Sequence, residues 1–158
     1  MAVGFDMHYS VTSFFVLAVA ALATGCASTA GSPTSPSAGS GSPTLTAEQV
    51  GGTWTLSSLQ PAGQTEQAVP AGATYELTLG EGRVSTRADC NVCNGALVLS
   101  GQTVTIGPIL ACTRAACATM AFETTYVAVL AGDSVARVDG VTLTLTSSRG
   151  TLRFLQRR

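Results

Sequence analysis

The sequence predicts an α+β fold, mainly β, with about eight antiparallel strands curled over one amphipathic helix. Three observations point there. From Gly51 onward, short runs of alternating apolar and polar residues are separated by glycine-containing turns. One alanine-rich stretch shifts to a helical period. Four of the cysteines fall in two close pairs, Cys90 with Cys93 and Cys112 with Cys117, the pattern of a small exported domain held by covalent bonds.

The elements begin with an address. Val11 to Ala23 is an apolar run, shorter than the ~20 residues of a membrane-spanning helix. Thr24-Gly25-Cys26 follows at once and resembles the lipobox of bacterial lipoproteins. That resemblance implies that residues 1–25 are a removed signal peptide and that Cys26 carries a diacylglyceryl group. Ala23 stands where the lipobox usually has leucine, and Met1 to Ser10 contains no Lys or Arg. Ala27 to Thr44 has no charge, no aromatic residue and three Ser-Pro steps, so it cannot bury enough surface to fold. Residues 26–48 therefore read as the lipidated cysteine with a flexible tether, reaching roughly 25 Å. Thr46, with Glu48 and Gln49, starts a short helical turn ahead of a folded domain at 49–158.

In that domain, Thr53 to Leu59 sets Trp54, Leu56 and Leu59 against Thr and Ser, and Thr74 to Leu79 alternates Tyr75, Leu77 and Leu79 with polar residues. Gly80-Glu81-Gly82 marks a turn, with Arg83 to Ala88 returning as its partner. Ala96 to Leu99 and Thr103 to Ile106 form a second hairpin around Ser100-Gly101. Ala115 to Ala131 is the helix: Ala116, Met120, Val127 and Leu130 share a stripe, with Phe122 and Tyr126 on its flank. Thr113 is its expected N-cap and Gly132 its C-terminal stop. Ser134 to Val138 and Val141 to Thr146 form a third hairpin, for which Asp139-Gly140 suits a type I′ turn. Thr151 to Leu155 is the last strand.

Composition excludes more than it includes. The 158 residues allow one domain plus targeting sequence. There is no lysine, and past Asp6 eight arginines face eight carboxylates, so the basic footprint of nucleic-acid binding is missing. The single histidine, His8, lies in the segment expected to be removed. A domain without histidine or lysine cannot run Ser-His-Asp, Cys-His, Ser-Lys or Schiff-base chemistry. No catalytic residue, cofactor or metal is expected. For the cysteines, two structural disulfides outrank a zinc site, because the second pair is too wide for a zinc ribbon. They also outrank a redox dithiol, which needs CxxC at the start of a helix in a βαβ setting. Three connectivities fit four cysteines.

At this point the residues resemble the META domain (HslJ-like) family of bacterial envelope proteins. Gly52-Thr53-Trp54-Thr55-Leu56 is similar to its opening strand motif, and Cys90-Asn91 with Gly95 to its central Cys-Asn motif. Leu110-Ala111, Thr113-Arg114 and Cys117 are similar to its Leu-Ala-x-Thr-Arg-x-x-Cys motif, and Glu123, Tyr126 and Leu130 to its helix. Leu143, Leu145, Leu152 and Phe154 suit its terminal hairpin. The likeness covers about residues 50–156. The chain departs from the family by carrying Cys93 in place of an aromatic and Cys112 in place of Ser or Met. The resemblance implies Cys90–Cys117 as one bridge, with Cys93–Cys112 nested inside it. Asn91 is expected to bond turn backbone beside a disulfide. Arg114 and Glu123 are expected to form a structural ion pair across the motif, the alternative being that one of them faces a ligand.

The resemblance implies an envelope lipoprotein linked to heat shock and stress, with no settled reaction and with the membrane, through its lipid, as partner. Ala27 after Cys26 favours outer-membrane sorting where the organism has an outer membrane. Other classes compete. Gly52-x-Trp54 with Arg153 stacked on the tryptophan suits a lipocalin-like ligand binder, and the polar loop Gln60 to Gly72 suits a β-barrel protease inhibitor. Catalysis would need carboxylates such as Asp89 and Glu123 in one cleft.

Overall fold

The computed structural model describes residues 44–157; Cys26, the expected signal peptide and residues 27–43 lie outside them. The elements run α1 (Ala47–Val50), β1 (Gly52–Pro61), β2 (Gln67–Ala68), β3 (Tyr75–Gly80), β4 (Arg83–Ala88), β5 (Asn91–Ser100), β6 (Thr103–Ile106), β7 (Ala111–Cys112), α2 (Met120–Leu130), β8 (Gly132–Asp139), β9 (Thr142–Ser147) and β10 (Gly150–Gln156). Packing begins before residue 49: Leu45 lies against the core, and Thr46 with Gln49 forms a capping box on α1.

Eight strands pair in the order β10-β9-β8-β6-β5-β4-β3-β1, and β10 pairs back onto β1. Every pairing is antiparallel, so the sheet closes into an up-and-down barrel with no long free edge. The expected strand count and direction hold; closure is the refinement, since the sheet wraps on itself instead of over the helix. Leucines dominate the interior: Leu56, Leu59, Leu77, Leu79, Leu143, Leu145 and Leu152 are buried there with Trp54 and Phe154.

Strand β1 carries one irregularity. Its register against β10 shifts between Leu56 and Ser58, which leaves Ser57 as the extra residue of a bulge. Ser57 turns its hydroxyl onto the Arg153 carbonyl at 3.0 Å. The bulge explains why inward Leu56 is followed three positions later by inward Leu59.

An antiparallel barrel has two mouths, and each is covered by a helix. At the mouth where β1 begins, α1 buries Val50, whose carbonyl accepts the Trp54 indole N–H at 2.9 Å. At the other mouth, α2 packs on β1, β4 and β10. It inserts Tyr126, fully buried, edge-on to Tyr75 and Phe154. The Thr86 hydroxyl donates to the Glu76 carbonyl at 2.7 Å, so it accepts from the Tyr126 hydroxyl at 2.6 Å.

Several local expectations need correction. The helix starts at Met120 and not at Ala115, because residues 113–117 are held out of the helix by bonds described below. Thr113 is therefore not its N-cap. The stripe holds only toward its C-terminal end: Leu130 is buried and Val127 packs against the core, whereas Met120 is 53% exposed and Ala116 is exposed, and the flanking Tyr126 is fully buried. Large aromatic side chains fill the mouth better than the alanine-bearing stripe, so the aromatic flank turns inward. Gly132, with φ of 86°, follows the helix directly and opens β8.

The hairpins form with small shifts. Glu81 and Gly82 both have positive φ, as a type I′ turn requires. In the third hairpin Asp139 pairs with Thr142, so Gly140 and Val141 are the loop, and only Gly140 of the pair has positive φ. That geometry suits a turn with glycine at its first central position, not the expected type I′ around Asp139-Gly140. Strand β5 begins at Asn91, five residues before the expected Ala96.

The two buried phenols generate a prediction. Burial pushes the Tyr126 phenol far above its ordinary value of 10.0. Tyr75 is also raised, mainly by burial, with Asp89 and Glu123 adding and its hydrogen bond to Thr119 opposing. In the unfolded chain these groups lose protons that the folded chain retains, so stability is whole below about pH 10 and falls above it. Thermal melts are expected to be level between about pH 7 and 9 and to decline above 10. Tyr126→Phe lowers neutral stability by about 1 kcal/mol, the worth of one hydrogen bond, and flattens the alkaline decline.

Candidate functional site

The two cysteine motifs and the helix converge at the α2 mouth of the barrel. Cys90–Cys117 and Cys93–Cys112 are the two bridges, with Cα separations of 5.8 and 4.0 Å. The second joins residues directly opposite each other in the β5–β7 ladder. All four sulfurs are used in these bonds and none is free to ligate zinc or to act as a redox thiol.

Asn91 sits between the bridges, 2% exposed. A buried amide needs partners for both ends. Its Oδ1 accepts from the Thr113 hydroxyl at 2.9 Å and from the Ala115 N–H at 2.8 Å. Its Nδ2 faces the Ala115 carbonyl and both carboxylate oxygens of Glu123, each at 3.0 Å, and the Cys117 sulfur at 3.2 Å. The Thr113 hydroxyl also accepts from the Val92 N–H at 3.0 Å. One side chain thus ties β5, the 113–117 segment and α2 together. Among the described residues, no buried side-chain polar atom here is left without a partner.

The expected Arg114–Glu123 ion pair is absent. The two ion pairs of the described residues are Arg153–Glu66 and Arg157–Glu76. Glu123 turns toward Asn91, and Arg114 is exposed on the 113–117 segment. The physical reason is Asn91, whose Nδ2 draws the carboxylate to itself while it also holds the Ala115 carbonyl.

Other predicted residues separate from this place. Trp54 lies toward the opposite mouth, bonded to Val50, and Arg153 pairs outward with Glu66, so no stack forms between them. Gly95 sits beneath Leu110, whose Cδ2 would lie 2.6 Å from an added Cβ; close packing across the strand is the reason for glycine in the motif. Asp89 accepts from the Thr119 hydroxyl at 2.7 Å, which makes Thr119 the acceptor for the Tyr75 hydroxyl at 2.8 Å. Asp89 does not line the cleft that Glu123 faces. Within the Gln60 to Gly72 segment, expected to be a rigid exposed loop, Gln67 and Ala68 pair with β1.

That cleft, about 510 Å³, runs between α2 and the 112–116 segment. Asn91, Arg114, Met120, Glu123 and Val127 are among its lining residues. Met120 lies at the surface although sequence reasoning assigned it to the buried stripe; Val127, of the same stripe, is partly buried against the core and borders the cleft.

A closed, filled antiparallel barrel, plugged by a helix that two disulfides and a buried asparagine hold in place, defines the class of domain. The META domain model matches residues 44–158, and the chain belongs to that family. A solved NMR structure of a protein from Burkholderia xenovorans is similar at 26% identity and a TM-score of 0.59, covering 73% of this chain and 90% of that one. A second NMR structure is similar at 26% identity and a TM-score of 0.56, covering 70% and 94%. No curated protein matches the chain.

Two outcomes test the site's construction. Asn91→Asp places a carboxylate against Glu123 and is expected to destabilise by about 3 kcal/mol at neutral pH, more than Asn91→Ala. The aspartate variant alone should recover as pH falls through the carboxylate range, when urea midpoints are compared. Replacing Cys90 and Cys117 together with serine should cost about 3–4 kcal/mol, and replacing the nested Cys93 and Cys112 less, since the outer bridge already shortens that loop.

Proposed function

We propose that this META-domain protein is a lipid-anchored lipoprotein of the bacterial cell envelope, with a non-catalytic, stress-related or structural role. The observation that carries the reading is the pair of disulfides, which form and persist in oxidising, exported compartments. Cys26, placed directly after an apolar export segment and small residues, supplies the anchor. The membrane is then the first partner, reached through the lipid, and Ala27 directs the protein to the outer membrane, facing the periplasm, where there is one.

The non-catalytic part rests on chemistry. The segment after Cys26 has neither histidine nor lysine, and Asp89 and Glu123 are each committed to a neutral hydrogen-bond partner. The filled interior speaks against a lipocalin-like binder, which needs an internal cavity. A ligand of this domain binds on its outside.

Intact mass of the protein extracted from the membrane fraction tests the reading. The expected species lacks residues 1–25, carries an acylated Cys26 and is four hydrogens lighter for its two disulfides. A water-soluble product with an unmodified Cys26, or one with four reactive thiols, would overturn it.

A further inference from the structure

Arg114 and Glu123 line the same cleft without meeting. Neither joins an ion pair with any described residue, and the half-buried Glu123 carboxylate is held by an uncharged amide. The cleft therefore presents one uncompensated charge of each sign. The same cleft is lined by the apolar side chains of Met120, which is 53% exposed, and of Val127 and Ala128. About 510 Å³ is in the range of small-ligand sites.

The cleft is also placed to be reached. The described chain enters at the other mouth, where the Leu45 N–H donates to the Gly101 carbonyl at 3.1 Å in the β5–β6 turn. The walls of the cleft are stiff, because Ala115 is bonded at both its N–H and its carbonyl to Asn91, and disulfides hold Cys112 and Cys117. A pre-formed site loses little entropy when a ligand binds.

We propose that this cleft binds a short apolar peptide, two or three residues long with both termini free. Its ammonium lies against Glu123, its carboxylate against Arg114, and its side chains against Met120 and Val127. Charge complementarity of both signs selects a zwitterion over a fatty acid, which would leave Glu123 facing a hydrocarbon chain. The proposal does not depend on the lipid anchor.

Equilibrium dialysis of the purified full chain against the tripeptide Leu-Ala-Leu tests it. One saturable site is expected, with N-acetylation and C-amidation each weakening binding roughly fivefold, the size of a part-exposed ion pair. Arg114→Ala should weaken the free acid but not the amide, and Glu123→Gln, which keeps an acceptor for Asn91, the free amine but not the acetylated peptide. Amide chemical shifts should move at residues 113–116 and 120–128. Absence of saturable binding, indifference to either blocked terminus, or shifts confined elsewhere would overturn the proposal.

Discussion

Pairing of β1 with β10 governs the rest of this molecule. Once the first and last strands hydrogen-bond along Trp54 to Pro61, every inward side chain faces one enclosed volume, and the leucines of opposite walls must fill it. Closure removes sheet edges but creates two mouths, through which water would reach the apolar interior. Each helix answers one mouth: α1 with Val50 over Trp54, α2 with Tyr126 between Tyr75 and Phe154. The bulge at Ser57 belongs to the same constraint, since it bends β1 sharply enough to serve both β3 and β10.

The α2 mouth is where a polar residue enters the buried region, and its needs shape everything around it. Asn91 occupies an inward position of β5, where an unpaired amide would cost about 1–3 kcal/mol. It recruits the backbone of Ala115, the hydroxyl of Thr113 and the carboxylate of Glu123. Those bonds keep the 113–117 segment out of the helix, delay its start to Met120 and draw Glu123 away from Arg114. The cleft is the space left by that separation. The disulfides lie on either side of Asn91 and limit how far the segment can move, so the polar cluster and covalent links reinforce each other.

Much of the barrel was legible along the chain. The alternation of Tyr75, Leu77 and Leu79, or of Leu143 and Leu145, places strands because inward positions recur every second residue. Even the bulge has a trace, in the three-residue step from Leu56 to Leu59. The first half of β5 was hidden because its inward positions are Asn91, Cys93 and Gly95, residues of weak strand preference. The period of two continues through them into Leu97 once they are counted as interior. The helix start was hidden for a related reason: Ala115 and Ala116 favour helix locally, and a long-range amide overrides that preference.

The amino-acid sequence by itself determined the strand-rich class, the hairpins, the cysteine framework and the family, because alternation, turn residues and motif spacing are local properties. Tertiary structure alone decided the barrel's closure, the rotation of α2 and the parting of Arg114 from Glu123. Those depend on which distant groups compete for one buried amide and one enclosed volume, and that competition exists only once β5, β7 and α2 have come together.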